Sequence, residues 1–123
     1  MTKVVNWSGF DPNQAVIFEI CITGPSYPNG NCQFTDYDGG TLSWDDLAPG
    51  AYVVNEVDPV ANWSVQEPGQ NNPVLVLAGQ TATATVTNTY NPPRVGNIIV
   101  RKVVDWNGFT PDNAQTFMLC ING

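Results

Sequence analysis

The sequence predicts an all-β fold, a β-sandwich with Greek-key connections, and three observations predict it. Turn formers are dense, with 11 Gly and 10 Pro spread through 123 residues. No segment keeps apolar residues at the helical spacing of 3.6. Several short segments instead alternate polar and apolar residues with a period of two, the mark of a strand with one face in a core.

The first expected strand spans 2–7, where Lys3, Val5 and Trp7 share a face and Asn6 takes the other. Further strands are expected at 15–23, 41–45, 51–57, 62–66, 73–77 and 81–90, with 32–37 as an added edge strand. In 51–57 the residues Tyr52, Val54 and Glu56 share a face. The clearest alternation runs from Thr81 to Tyr90: every odd position is Thr, and Ala82, Ala84, Val86, Asn88 and Tyr90 form the inward row.

An internal repeat organises the chain. Residues 3–24 (KVVNWSGFDPNQAVIFEICITG) recur as 102–123 (KVVDWNGFTPDNAQTFMLCING), at a constant spacing of 99 residues. Residues 1–91 then form a complete repeat, 92–96 a stiff Pro/Gly linker, and 97–123 the first strands of the next repeat, truncated or docked on a neighbouring subunit. The repeat also accounts for an odd cysteine count. Cys120 stands at the Cys21 position, and its expected partner falls beyond residue 123. Cys21 and Cys32 flank Gly24-Pro25-Ser26-Tyr27-Pro28-Asn29-Gly30-Asn31, read as a loop closed by a disulfide in an oxidising setting; two separate buried thiols are the alternative.

Composition excludes several classes. The net charge is −7, and the only adjacent basic pair is Arg101-Lys102. Nucleic-acid binding, which needs basic clusters, is therefore rejected. Histidine is absent, so a His-based triad or His-ligated metal cannot be built within this chain. No apolar run approaches a bilayer span. The start, Met1-Thr2-Lys3-Val4, does not read as a secretion leader, so for a secreted parent the targeting signal is expected outside this chain. No cofactor is expected. Asp36, Asp38, Asp45 and Asp46 lack the ligand spacing of a calcium loop and read as turn residues. Trp7 and Trp106 read as core. Trp63 and the loop tyrosines Tyr27 and Tyr37 are the material for an alternative function, a loop-based carbohydrate- or protein-binding module.

The inward rows contain three polar residues that do not belong in an apolar interior. Lys3 and Lys102 are the only lysines, and both fall on the inward row of their copies. Glu56 and Asn88 do the same on two other strands. Buried charges are costly unless they meet, and two readings follow. In one, Lys3 and Glu56 form an ion pair hydrogen-bonded to Asn88. In the other, they react. Burial favours the neutral amine and the protonated carboxyl. The amine can then attack the Asn88 carboxamide while Glu56 polarises it and moves protons, with ammonia leaving.

Asp46-Leu47-Ala48-Pro49-Gly50-Ala51-Tyr52-Val53-Val54-Asn55-Glu56 resembles the Pro-Gly-x-Tyr-x-x-x-Glu signature of Cna-B-type domains. The likeness extends to the early-strand Lys3 and to Asn88 in the last strand, and covers about residues 1–91. It implies a prealbumin-like, immunoglobulin-like sandwich in the stalk of a bacterial surface adhesin or pilus. It also implies the roles of nucleophile for Lys3, autocatalytic acid for Glu56 and acceptor for Asn88. The chain departs from the pattern at Glu56-Val57-Asp58-Pro59, where the proline comes one place early, and in its Cys21–Cys32 loop. The function expected is architectural: an extracellular stalk or filament unit, partnered by neighbouring repeats or subunits of the same protein. An enzyme acting on a soluble substrate is not expected, beyond single-turnover self-cross-linking.

Overall fold

The computed structural model describes residues 1–58 and 61–123; Pro59 lies outside them. Eight strands run in chain order: β1 Thr2–Asn6, β2 Phe18–Gly24, β3 Tyr27–Thr35, β4 Gly40–Thr41, β5 Gly50–Glu56, β6 Trp63–Gln66, β7 Val74–Val76 and β8 Thr85–Tyr90. They form two four-stranded sheets, β4-β1-β8-β6 and β3-β2-β5-β7, packed as a sandwich with no helix among the described residues. No helix long and apolar enough to cross a membrane is present among those residues.

Alternation decides what lies between the sheets. On β5, Tyr52, Val54 and Glu56 are buried while Ala51 faces outward. On β8, Val86 and Asn88 are buried and Thr85 is exposed. On β1, Lys3 is buried between exposed Thr2 and Val4. The core consists of Ile20, Ile22, Leu42, Tyr52, Val54, Val76 and Val86. Burial of each large aliphatic side chain contributes about 1.5–3 kcal/mol before entropy is counted.

β1 pairs parallel with β8, with Val5 opposite Asn88, and antiparallel with β4. The first and last strands of the sandwich therefore lie side by side. In the other sheet β2 pairs with both β3 and β5, placing Ile20 opposite Glu56.

Three expectations need correction. The segment 24–31 is not an open loop. Chain reversal is confined to Pro25-Ser26, with Gly24 paired to Tyr27, and β3 begins at once. β3 is the outer strand of its sheet, the position where Pro28 can lack an N–H without breaking a ladder. The Cys21–Cys32 disulfide thus joins directly opposed residues on paired strands rather than stapling a loop. Residues 15–17 also stay outside β2. Asn13 folds this segment into a turn by accepting hydrogen bonds from Ala15 N–H at its side chain and Val16 N–H at its carbonyl.

The third correction concerns ladders that lack a partner. Thr81–Ala84 keeps the alternation of β8, with Ala82 and Ala84 half-buried, but belongs to no strand. Only Ala84 meets β1, accepting a hydrogen bond from Thr2 N–H at 2.8 Å. Residues 91–123 likewise contain no strand. Ile98, Ile99 and Phe109 are exposed, and Trp106, like Trp7, is half-buried rather than core.

Candidate functional site

The site arises where β1 and β8 meet the end of β5. Lys3 lies on β1 two residues before Val5, which pairs with Asn88. Residues diagonal across paired strands share a face, so the Lys3 and Asn88 side chains lean toward each other. Glu56, the last residue of β5, closes the triangle from the facing sheet. The exposures are 2% for Lys3, 7% for Glu56 and 0% for Asn88.

The three side chains are fully engaged with one another. Lys3 Nζ donates to Glu56 Oε2 and to Asn88 Oδ1. Asn88 Nδ2 donates to Glu56 Oε1 at 2.7 Å. One carboxylate thus contacts both the amine and the carboxamide, one oxygen to each. The Phe18 ring lies over the amine, with its centroid 4.4 Å from Nζ.

Burial pushes the Lys3 amine below the usual lysine range, against the Glu56 hydrogen bond and the charges of Glu56 and Glu67, which raise it. Taking an ammonium out of water is the larger effect. The result is an amine biased toward its nucleophilic form, held against a carboxamide, with a carboxyl placed to take and return protons.

The surrounding residues hold this geometry. Gly39 has φ +80°, and a Cβ there would come within 2.5 Å of the Lys3 carbonyl oxygen. Glycine is required for both the left-handed backbone and the close approach. Gly50, at φ +149°, packs where a Cβ would meet the Pro25 ring at 2.6 Å. Two residues later, Tyr52 donates to the Ala48 carbonyl at 2.9 Å and accepts from Ser26 N–H at 3.0 Å. The Pro-Gly-x-Tyr segment thus anchors the start of β5, whose far end presents Glu56. The Glu56 N–H is bound by the Glu67 carboxylate.

Phe18 is held in turn by an aromatic cluster. Trp63 meets Phe18 edge-on at 5.3 Å and Trp7 at 4.9 Å, while Tyr90 packs on both tryptophans. Trp63 is therefore part of this cluster beside the site. Tyr27 packs against the core from β3, and Tyr37 is half-buried with its carbonyl accepting the Trp7 indole N–H at 3.0 Å. Trp63 and Tyr27 are thus engaged in packing, whereas Tyr37 contributes its backbone carbonyl.

Asp36 folds its own turn, accepting Asp38 N–H at its side chain and Gly39 N–H at its carbonyl. Among the described residues, the one grouping of donors dense enough for a metal is Glu19 with Cys21 and Cys32, whose sulfurs are bonded to each other.

Sequence reasoning singled out Lys3, Glu56 and Asn88 but missed Phe18, Gly39, Glu67 and the shielding role of Trp63. A signal for Phe18 was present: the repeat preserves it with the lysine, as Lys102 and Phe117. No such pattern marks Glu67, which reaches Glu56 only through tertiary folding. Lys102 is exposed, and the Phe117 centroid lies 4.9 Å from its Nζ. No protein-family model, curated protein or solved structure matches the chain.

Proposed function

We propose that residues 1–91 form a self-cross-linking structural unit of an extracellular stalk or filament, of the kind found in Cna-B-type surface adhesins and pili. The carrying observation is the buried contact of Lys3, Glu56 and Asn88 across β1, β5 and β8. Lys3 Nζ attacks Asn88 Cγ, the new C–N bond forms, the C–NH₂ bond breaks, and ammonia leaves. Glu56 takes a proton from the attacking amine and delivers one to the leaving nitrogen, ending as it began. The fold supplies the proximity that makes such a reaction fast without a cofactor. It happens once per chain and turns over no soluble substrate.

The position of the bond suits a load-bearing part. β1 and β8 are the first and last strands and lie parallel, so pulling the unit from its two ends shears them against each other. A Lys3–Asn88 amide carries that force directly and leaves the chain between them unloaded. The disulfide adds a second covalent constraint, between β2 and β3, and fits an oxidising, extracellular location. The partners in this reading are neighbouring repeats or subunits of the same protein.

Intact mass measurement tests the chemistry. Folded, oxidised protein is expected to be lighter than its reduced sequence by one ammonia and the two hydrogens of the Cys21–Cys32 disulfide, and Lys3→Ala, Glu56→Ala and Asn88→Ala proteins are expected to lose the two hydrogens alone. A folded, oxidised parent protein lighter by those two hydrogens alone would reduce the site to an unreacted ion pair.

A further inference from the structure

Glu67 stands where the chain passes from one sheet to the other. It follows β6 directly, and β6 is paired with the acceptor strand β8, Val65 opposite Asn88 and Gln66 opposite Thr87. Just beyond, Gly69 N–H binds the Val54 carbonyl on β5 at 3.0 Å. The segment 67–69 is thus fixed to the acceptor's sheet at one end and to the acid's strand at the other.

The end of β5 needs such a hold. β7 pairs with β5 only from Gly50 to Tyr52, so among the described residues no strand flanks Val54 and Glu56 on the edge facing away from β2. Gly69 supplies a backbone donor to the Val54 carbonyl, and the Glu67 carboxylate accepts the Glu56 N–H. A carboxylate on an N–H makes a charge-assisted bond, about twice as strong as one between neutral groups. Without it, Glu56 would be the unpaired end of a strand, where ladders fray.

Glu67 also reaches the nucleophile through its charge. The charged groups that face the Lys3 amine are Glu56 from β5 and Glu67 from the end of β6, and both favour the ammonium against burial. Glu67 itself is exposed, so replacing it opens no hole in the core.

We infer that Glu67 is a positioning residue for the cross-link: it ties the end of β5 to the β6–β8 pair, so that the Glu56 carboxyl stays against both the Lys3 amine and the Asn88 carboxamide. The role rests on the cross-linking reading above. Glu67 acts through Glu56 and takes no part in the proton transfers.

Two measurements keep the reaction and the positioning apart. The first uses full-length chains assembled by chemical ligation in denaturant, which have never folded and start unreacted. They are diluted into oxidising buffer, and loss of ammonia is followed by intact mass while tryptophan fluorescence times folding. Glu67→Ala is expected to slow the loss on the order of tenfold, within the range that a small misplacement of reacting groups brings. Glu67→Gln, which keeps an oxygen at the same reach, is expected to recover most of that rate. The second measurement uses folded Asn88→Ala protein, which cannot cross-link, and NMR. There Glu67→Ala is expected to speed hydrogen exchange at the Glu56 N–H, and Glu67→Gln to move the Lys3 titration further below 10.5. A role in packing alone would not move that titration, because the substitution removes charge and keeps shape.

Ammonia lost by folded Glu67→Ala at the parent's rate, or by Glu67→Gln as slowly as by Glu67→Ala, would overturn the inference. So would a Lys3 titration that Glu67→Gln leaves in place. A parent chain that keeps its ammonia, while Glu56 exchange and the Lys3 titration still follow Glu67, would remove the cross-linking reading and support the tie. If Glu67→Ala does not fold, Glu67→Asp decides: it keeps the charge but is a methylene short, so slower loss supports the tie and an unchanged rate overturns it.

Discussion

Residues 1–24 and 97–123 are nearly the same peptide in two settings. Their turns agree, down to the left-handed backbone at Ser8-Gly9 and Asn107-Gly108. Their burial does not: Lys3 is buried and Lys102 exposed, Phe18 buried and Phe117 exposed. Turn geometry is therefore set by neighbours along the chain, through Asn and Asp side-chain oxygens that accept hydrogen bonds from nearby N–H groups. Strand pairing and buried chemistry come from partners across the sandwich. A lysine becomes a candidate nucleophile when β5 and β8 surround it, and Lys102, without them, is exposed.

The largest effect expected from breaking this contrast is at Glu56. Glu56→Ala leaves the Lys3 amine buried without its counter-charge and blocks the cross-link. It is expected to cost on the order of 3–5 kcal/mol, read by denaturant unfolding, whereas Lys102→Ala leaves the transition where it was. Next comes the disulfide. Replacing Cys21 and Cys32 together by Ser is expected to cost about 2–4 kcal/mol, while Cys120→Ser has no measurable effect on the melting temperature.

Smaller again is the Pro-Gly-x-Tyr anchor. Tyr52→Phe removes the hydroxyl that binds Ala48 and Ser26, and about 1 kcal/mol is expected to go with it.

The subtlest effect sharpens the comparison through pH. In an Asn88→Ala protein the amine cannot be consumed, and burial holds Lys3 below its ordinary value of 10.5. The unfolded chain then binds more protons than the folded one between the lowered value and 10.5, so stability rises with pH across that window. The penalty is fully present below it and gone above it. The double variant Asn88→Ala/Lys3→Met should lack this rise in alkaline unfolding titrations.

How much could be read from residues alone follows the same division. β1, β5 and β8 were legible because each buries one face, so Lys3, Glu56 and Asn88 appear as polar intrusions in apolar rows. β3 was not, because an edge strand tolerates Pro28 and Gly30, residues that elsewhere announce a loop. Thr81–Ala84 was read as strand from its alternation, but alternation reports facing and not pairing, and among the described residues no strand pairs with it. Glu67 and Gly39 act on the site through folding: one binds the Glu56 backbone, and the other admits the Lys3 carbonyl into a space a side chain would occupy. Neither carries a periodic signature.

The central claim is that one of these two lysines is welded and the other is free. Proteolytic mapping of the folded, oxidised chain by tandem mass spectrometry tests it most directly. The account predicts a branched peptide in which Lys3 is joined through its side chain to Asn88, with Lys102 of the monomer recovered as an unmodified residue. Recovery of Lys3 and Asn88 in separate, unmodified peptides would contradict it.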